Sequence, residues 1–269
     1  MSASSEPCSP DTVRSLQEKA ARALPAEHVE HVGGWWLRHS TSSAWWAGTV
    51  LPHADAGPDE LVRRVAGAER FYAVHGTAVR FQITPWVCPA ALDTLLAERG
   101  YGHESPVSLR VAAARQVLEQ ASTDSLLVRL DDDPTSAWFE VWHAMSGHAG
   151  DRRAEWDMLG RVKRPSAYAS AMLGNDVVAV GRVVADDGWA GVFGMATLPH
   201  ARGNGAGRGV LAALADWATA HDADGLYLQV ECGNIPALRL YDGAGFSEVC
   251  RYHYRTAPSL GEGGQRVNR

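Results

Sequence analysis

Gly191-Val192-Phe193-Gly194-Met195-Ala196-Thr197-Leu198 is followed, after Pro199-His200-Ala201, by Arg202-Gly203-Asn204-Gly205-Ala206-Gly207-Arg208 and then by a long amphipathic stretch. The order reads as a strand, a glycine-rich turn and a helix start. Such a turn directs several backbone N–H groups toward one point, and the helix N-terminus adds partial positive charge, so the segment suits a phosphate or pyrophosphate. Arg202 and Arg208 bring full charges of the matching sign.

Two phosphate-binding patterns fail on spacing. A Walker loop ends in Gly-Lys-Ser/Thr, and no lysine follows Gly205 or Gly207. The dinucleotide fingerprint needs G-x-G-x-x-G, but the sixth position is Arg208 counting from Gly203 and Val210 counting from Gly205. A glycine-rich surface turn without a ligand remains the alternative for the motif taken alone.

Further along, Leu226-Tyr227-Leu228-Gln229-Val230 has the composition of a buried strand. Asn234 is a good N-cap, with Pro236 in the first helical turn, where its missing N–H costs little. That helix carries Tyr241 and stops at Gly243-Ala244-Gly245, and Phe246 opens a last strand. The ordered set Arg202-Gly203 to Gly207, Asn234 with Pro236-Ala237, Leu240-Tyr241 and Gly245-Phe246 resembles the GNAT N-acetyltransferase superfamily.

The resemblance spans roughly Asp124 to Thr256. Within it, Leu126 to Leu130 reads as a first strand and Pro134 to about Met145 as a helix with Trp138, Trp142 and Met145 on one face. A second helix runs from about Arg152 to Val162. Ala167–Leu173 and Val177–Ala185 form a hairpin over Gly174-Asn175-Asp176, Trp189–Leu198 is the next strand, and Gly207 to about His221 the helix after the glycine turn. The expected fold class is α/β (α+β), a mixed, largely antiparallel sheet flanked by helices.

In GNAT enzymes the strands flanking the glycine turn and its helix splay apart, and acetyl-CoA lies on the opened edges. The resemblance therefore implies acetyl-CoA as cofactor, with Met195, Ala196 and Thr197 along its acyl arm. It places Arg202, Gly203, Asn204, Gly205, Ala206, Gly207 and Arg208 around the pyrophosphate, with Asn234 and Tyr241 completing the site. An N–H near Met195 or Ala196 would polarise the thioester carbonyl. Tyr241 stands at the family's position for the acid that protonates the departing thiolate.

Many relatives carry a basic carboxylate on the strand before the glycine turn, and this strand has none. Glu231, at the end of the following strand, is the best remaining carboxylate and is also readable as a solvated strand end. Trp138, His143 and Glu155, with His148, Asp151 and Asp157, lie on or between the two early helices that wall the acceptor site in this family. Each is expected to orient a cationic amine or to be an ordinary surface residue.

Leu51-Pro52-His53-Ala54 recurs as Leu198-Pro199-His200-Ala201. The same interval separates Phe81-Gln82-Ile83 from Leu228-Gln229-Val230, and Pro89-Ala90 from Pro236-Ala237. With 269 residues available, this register indicates an internal duplication and two GNAT-like domains in tandem. Opposite the glycine turn, however, stands Asp55-Ala56-Gly57-Pro58-Asp59-Glu60, which exchanges cations for carboxylates and an N–H for proline. Thr94 or Leu95 falls opposite Tyr241. The expected layout is a disordered tail (1–10), a degenerate GNAT-like domain (11–115), a helical connector (116–123), a catalytic GNAT domain (124–256) and a second tail (257–269).

A formal net charge of −6 disfavours a nucleic-acid surface and favours cationic acceptors. No apolar run reaches the length of a membrane span, and the polar N-terminus lacks a signal-peptide core, so a cytoplasmic protein is expected. Cys8, Cys88, Cys232 and Cys250 show no paired spacing and read as reduced thiols, with no metal site expected. Trp35-Trp36 and Trp45-Trp46 read as a strand-like hairpin. The expected activity is direct acetyl transfer to the primary amine of a small molecule, by a monomer or homodimer. A protein or peptide amine acceptor and a non-catalytic acyl-CoA-binding regulatory module are the alternatives.

Overall fold

The computed structural model describes residues 9–41, 45–104, 106–122, 126–145 and 151–258. In chain order the elements are α1 (Pro10–Ala23), β1 (His28–Val32), β2 (Trp35–His39), β3 (Val50–Leu51), α2 (Pro58–Val74), β4 (Arg80–Ile83), α3 (Leu92–Glu98), β5 (Gly102–His103), β6 (Val107–Ala113) and α4 (Ala114–Ala121). They continue as β7 (Leu127–Asp131), α5 (Ser136–Met145), α6 (Arg152–Gly160), β8 (Ser166–Leu173), β9 (Asp176–Asp186), β10 (Trp189–Thr197), α7 (Ala206–Ala220), β11 (Gly225–Glu231), α8 (Ile235–Gly243) and β12 (Ser247–Thr256). Trp45–Ala47 is a single 3-10 turn and not a strand. Only the Trp35-Trp36 half of the expected tryptophan hairpin is extended, and β2 pairs with β1 and β3 instead.

The chain divides into two compact units. The larger holds residues 9–25 and Val107–Cys250. In it β7, β8, β9 and β10 run antiparallel in sequence order, β11 lies parallel to β10, and β6 follows antiparallel to β11. Small side chains (Ala167, Ala169, Ala171, Ala179, Ala190) floor one sheet face, so α7 can approach closely with Val210, Leu211, Leu214 and Ala218. The neighbouring α4 adds Ala114, Val117 and Ala121 to the same core. Against α1, Lys19 Nζ donates to Asp186 O at 2.8 Å and Arg182 donates to Ala23 O at 2.8 Å. Buried Arg182, its pKa lowered by desolvation, also sits over the Phe193 ring at 5.1 Å.

The smaller unit holds Ala26–Thr41, Trp45–Pro106 and residues 251–258. Its sheet runs β1, β2, β3, β4 and the end of β12, with β3 and β4 parallel and β5 also on β12. Trp35, Leu37, Val65, Phe71, Tyr72, Phe81, Leu92 and Leu96 form its core.

The order β3, α2, β4, α3 repeats as β10, α7, β11, α8, and in both runs the two strands are parallel. The closing strands are exchanged. β6 ends the first repeat yet pairs with β11 from Gly225↔Ala113 to Glu231↔Val107. β12 ends the second repeat, yet its His253 to Thr256 pair with Ile83 to Arg80 of β4. The chain passes between the compact units several times.

Candidate active site

The site begins where β10 and β11 part. Their parallel pairing runs from Trp189↔Gly225 to Gly191↔Tyr227 and goes no further. Past that point β10 stays on β9 through Thr197↔Ala179, and β11 stays on β6 through Glu231↔Val107. The inner edges thus diverge while the outer edges remain paired, leaving main-chain donors and acceptors of Val192 to Thr197 facing an opening.

Gly194 lies just past the point of divergence. Its φ of +61° belongs to the left-handed region, and the register of β10 on β9 shifts between Phe193 and Ala196. That is a β-bulge, which bends a strand and redirects its edge. Sequence reasoning did not use Gly194, although an isolated glycine inside a strand pattern is the usual mark of a bulge.

Met195, Ala196 and Thr197 lie on the opened stretch of β10, and the glycine turn lies just beyond it. Gly203 (φ +80°) and Gly205 (φ +79°) both take left-handed backbone. Gly205 is the N-cap of α7 and offers no side-chain acceptor, so the first-turn N–H groups at Ala206, Gly207 and Arg208 remain available to an anion. A phosphate group fits a turn with free donors, no side chain at the cap and two flanking cations. Arg202 Nε donates to Thr197 O at 3.3 Å, and Arg208 donates to Gln120 O on α4. Both guanidinium groups are therefore held beside the turn with other N–H groups to spare.

Asn234 caps α8 as expected, its side chain accepting from Ala237 N at 3.3 Å. This cap sets α8 so that Tyr241 turns inward, where only 6% of its surface is exposed. Tyr241 meets Phe246 edge-on at 5.8 Å between centroids. Burial pushes its pKa up to about 12, so the phenol keeps its proton at neutral pH. Glu231 is exposed at the end of β11.

On the other side of β10, α5 packs against β8, β9 and β10. Trp138 is fully buried and donates from Nε1 to Gly181 O at 3.0 Å. It stacks on Trp142 at 5.7 Å, and both indoles approach Gly194. Expected as a substrate contact, Trp138 is instead enclosed: at helical spacing from Trp142 it falls on the apolar stripe of α5 and supports the bulge.

His143 Nδ1 lies 2.8 Å from Glu155 Oε2, joining α5 to α6, and Glu155 is completely buried with Oε1 unbonded. Asp151 caps α6 through Arg153 N at 2.7 Å, and Asp157 pairs with Arg153 at 3.0 Å; these are structural roles. His148 and Cys8 lie outside the described residues, and Cys88, Cys232 and Cys250 take part in no disulfide among the described residues. A groove of about 290 Å³ is lined by Ser136, Phe139, Glu140, Arg152, Arg153 and Trp156 of α5 and α6.

A strand pair opened by a bulge, with a glycine anion turn at its mouth and a protonated tyrosine on the next helix, is the arrangement of GNAT-type acetyltransferases. The chain belongs to this superfamily, and within it to the family described as "Probable histone acetyltransferase Rv0428c C-terminal", which matches residues 11–255. It is similar to "Uncharacterized N-acetyltransferase YobR" of Bacillus subtilis (strain 168), with 27% identity over 247 residues covering 91% of this chain and 98% of that protein. Among solved structures, "GCN5-related N-acetyltransferase from Kribbella flavida" shares the fold with a TM-score of 0.70 at 17% identity, covering 91% of this chain and 94% of that one. A "Tandem GNAT protein from the clavulanic acid biosynthesis pathway" does so with a TM-score of 0.62 at 12% identity, covering 94% and 89%. No helix among the described residues is long and apolar enough to cross a membrane.

Proposed function

We propose that this protein transfers acetyl from acetyl-CoA directly to the primary amine of a small molecule, using one site between β10 and β11. The carrying observation is the divergence of these strands after Gly191↔Tyr227, directly ahead of the Gly203 and Gly205 turn. Acetyl-CoA supplies the activated acetyl group and the thiol leaving group.

The residues divide the remaining work by position. Donors at the start of α7 hold the pyrophosphate, reinforced by Arg202 and Arg208. A β10 N–H near Met195 or Ala196 steadies negative charge on the carbonyl oxygen as the amine nitrogen adds. When the C–S bond breaks, the Tyr241 hydroxyl donates its proton to sulfur. The nitrogen sheds its proton to Glu231, or to His143 oriented by Glu155, or to water passing it on. The net charge of −6 favours cationic amines.

Among the described residues, the smaller unit carries no counterpart of this chemistry. Pro58 opens α2 where α7 has an N–H, and Glu60 there pairs with Arg63 and Arg64 at 2.8 Å and 2.9 Å. The description of the matching family names a histone acetyltransferase, which favours a lysine-bearing peptide as the second acceptor class.

The test combines calorimetry with acetyl-CoA and thiol release against a panel of small amines and basic lysine peptides. Saturable binding with release for a small amine is expected. Release with peptides alone would transfer the reading to protein acetylation. Binding with no release for any acceptor would overturn catalysis in favour of an acyl-CoA-binding regulatory module.

A further inference from the structure

Three histidines of the smaller unit converge on one another. His28 and His39 are directly opposite each other in the antiparallel register of β1 and β2, so their side chains share one sheet face. His75 is the C-cap residue of α2 and brings its ring onto the same face. The ring centroids stand 4.2 Å apart for His39 and His75, 5.3 Å for His28 and His75, and 6.1 Å for His28 and His39. One ring nitrogen from each lies within 4.8 Å of the other two.

His39 differs from two other histidines whose rings have acidic partners. His143 bonds Glu155 and His253 bonds Asp93 at 2.9 Å. His39, only 3% exposed, has neither Nδ1 nor Nε2 bonded. Burying a polar ring without a partner is unfavourable, so an unbonded nitrogen aimed at two further imidazoles points to a ligand. His75 is prepared in the usual manner of a metal-binding histidine: Nδ1 lies 2.8 Å from Phe71 O, which makes it the donor and leaves Nε2 as the lone pair. Stacking of neutral rings accounts for the closeness of His39 and His75 but leaves the His39 nitrogens unbonded.

We propose that His28, His39 and His75 form a three-imidazole site for Zn²⁺ that ties β1, β2 and the end of α2 together. Imidazole nitrogens favour zinc and its transition-metal neighbours over magnesium or calcium. Tetrahedral ligands at ~2.05 Å from zinc stand about 3.4 Å from one another, so the present spacing, within 4.8 Å for every pair, has at most about 1.4 Å to close. Three protein ligands leave a fourth position for water. Because the ligands come from three elements, the bound ion acts chiefly by holding the fold of this unit.

The test uses the full-length chain without a histidine tag, stripped with a chelator. Titration with Zn²⁺ is expected to give one ion per chain and a rise in Tm that grows with free Zn²⁺, while Mg²⁺ gives neither. Co²⁺ should give the visible absorption of a tetrahedral site. His75→Ala should weaken Zn²⁺ binding by at least roughly 100-fold, beyond the loss of an outer-shell partner, whereas His103→Ala should not. Where His39→Ala fails to fold, His28→Ala on an exposed strand position replaces it. No binding at millimolar Zn²⁺, or equal affinity in wild type, His28→Ala and His75→Ala, overturns the proposal.

Discussion

A Cβ added at Gly194 would lie 3.1 Å from Nε1 of Trp142. With φ at +61°, any other residue there is strained in its backbone as well as crowded by the indole. Gly194→Ala should therefore cost about 1–3 kcal/mol, combining left-handed strain and overpacking. The same change should alter the angle at which β10 leaves β11 and raise the KM for acetyl-CoA. Chemical denaturation and steady-state kinetics check both parts; unchanged stability and KM would show that the bulge forms without glycine.

Gly205 and Gly57 occupy corresponding helix starts with different backbones. Gly205→Asp places a carboxylate at the anion turn and forces an aspartate to φ +79°, so acetyl-CoA binding should be lost. Gly57 has φ −64°, a Cβ added there would meet nothing within 4 Å, and aspartate is a favoured N-cap. Gly57→Asp should leave binding intact and stability equal or slightly higher. Calorimetry on both variants decides; equal losses would reject a single cofactor site.

Tyr241→Phe should lower kcat by roughly 10²–10⁴-fold, the usual range for removing a general acid, with little change in acetyl-CoA affinity. Because burial holds the wild-type phenol protonated up to about pH 12, its ionisation should produce no falling limb in the kcat profile between about pH 7 and 10. An unchanged rate in the variant would remove Tyr241 from the acid role.

Buried tyrosines also set the alkaline limit of stability. Tyr241 and Tyr254 have pKa values raised to about 12 by burial, and those of Tyr72 and Tyr227 are raised further in the same direction. In the unfolded chain a phenol ionises near about pH 10. The contribution is thus complete below about pH 10 and declines as pH rises toward the folded values, since only the unfolded state has then released its protons. Denaturation midpoints should stay level from about pH 8 to 9.5 and fall above it. Flat midpoints to about pH 11 would mean that these hydroxyls are not desolvated.

Residues 124–256 expressed alone should not fold cooperatively. That segment lacks β6, so β11 would lose its antiparallel partner from Gly225 to Glu231 and keep only its short pairing with β10. Arg110 of β6 would also be gone from its ion pair with Asp242 and its 2.9 Å bond to Phe246 O. Sharp NMR dispersion or a cooperative melt from this segment would refute the expectation.

The features readable in the sequence are those encoded within a few neighbouring residues. The glycine turn, the Asn234 cap, the Gly174-Asn175 hairpin and the stripe containing Trp138 and Trp142 all depend on local backbone preference or periodicity. The repeat was also legible, because Leu51 and Leu198 hold one register with Phe81 and Leu228. The exchange of β6 and β12 was not, since alternating apolar strands carry no label for their partners. Nor were the roles of Gly194 and the His28, His39 and His75 group, whose meaning arises only when distant elements meet. The burial of Trp138 was hidden for a related reason: helical spacing gives a face, and packing decides what covers it.

The exchanged strands also govern the order of events during synthesis. β4 emerges early, but the residues that complete its edge, His253 to Thr256, are translated after every other described element. The first repeat must therefore wait on the ribosome with an unsatisfied sheet margin until β12 has been made. Premature termination ahead of β12 leaves Arg80 to Ile83 of β4 without their antiparallel partner.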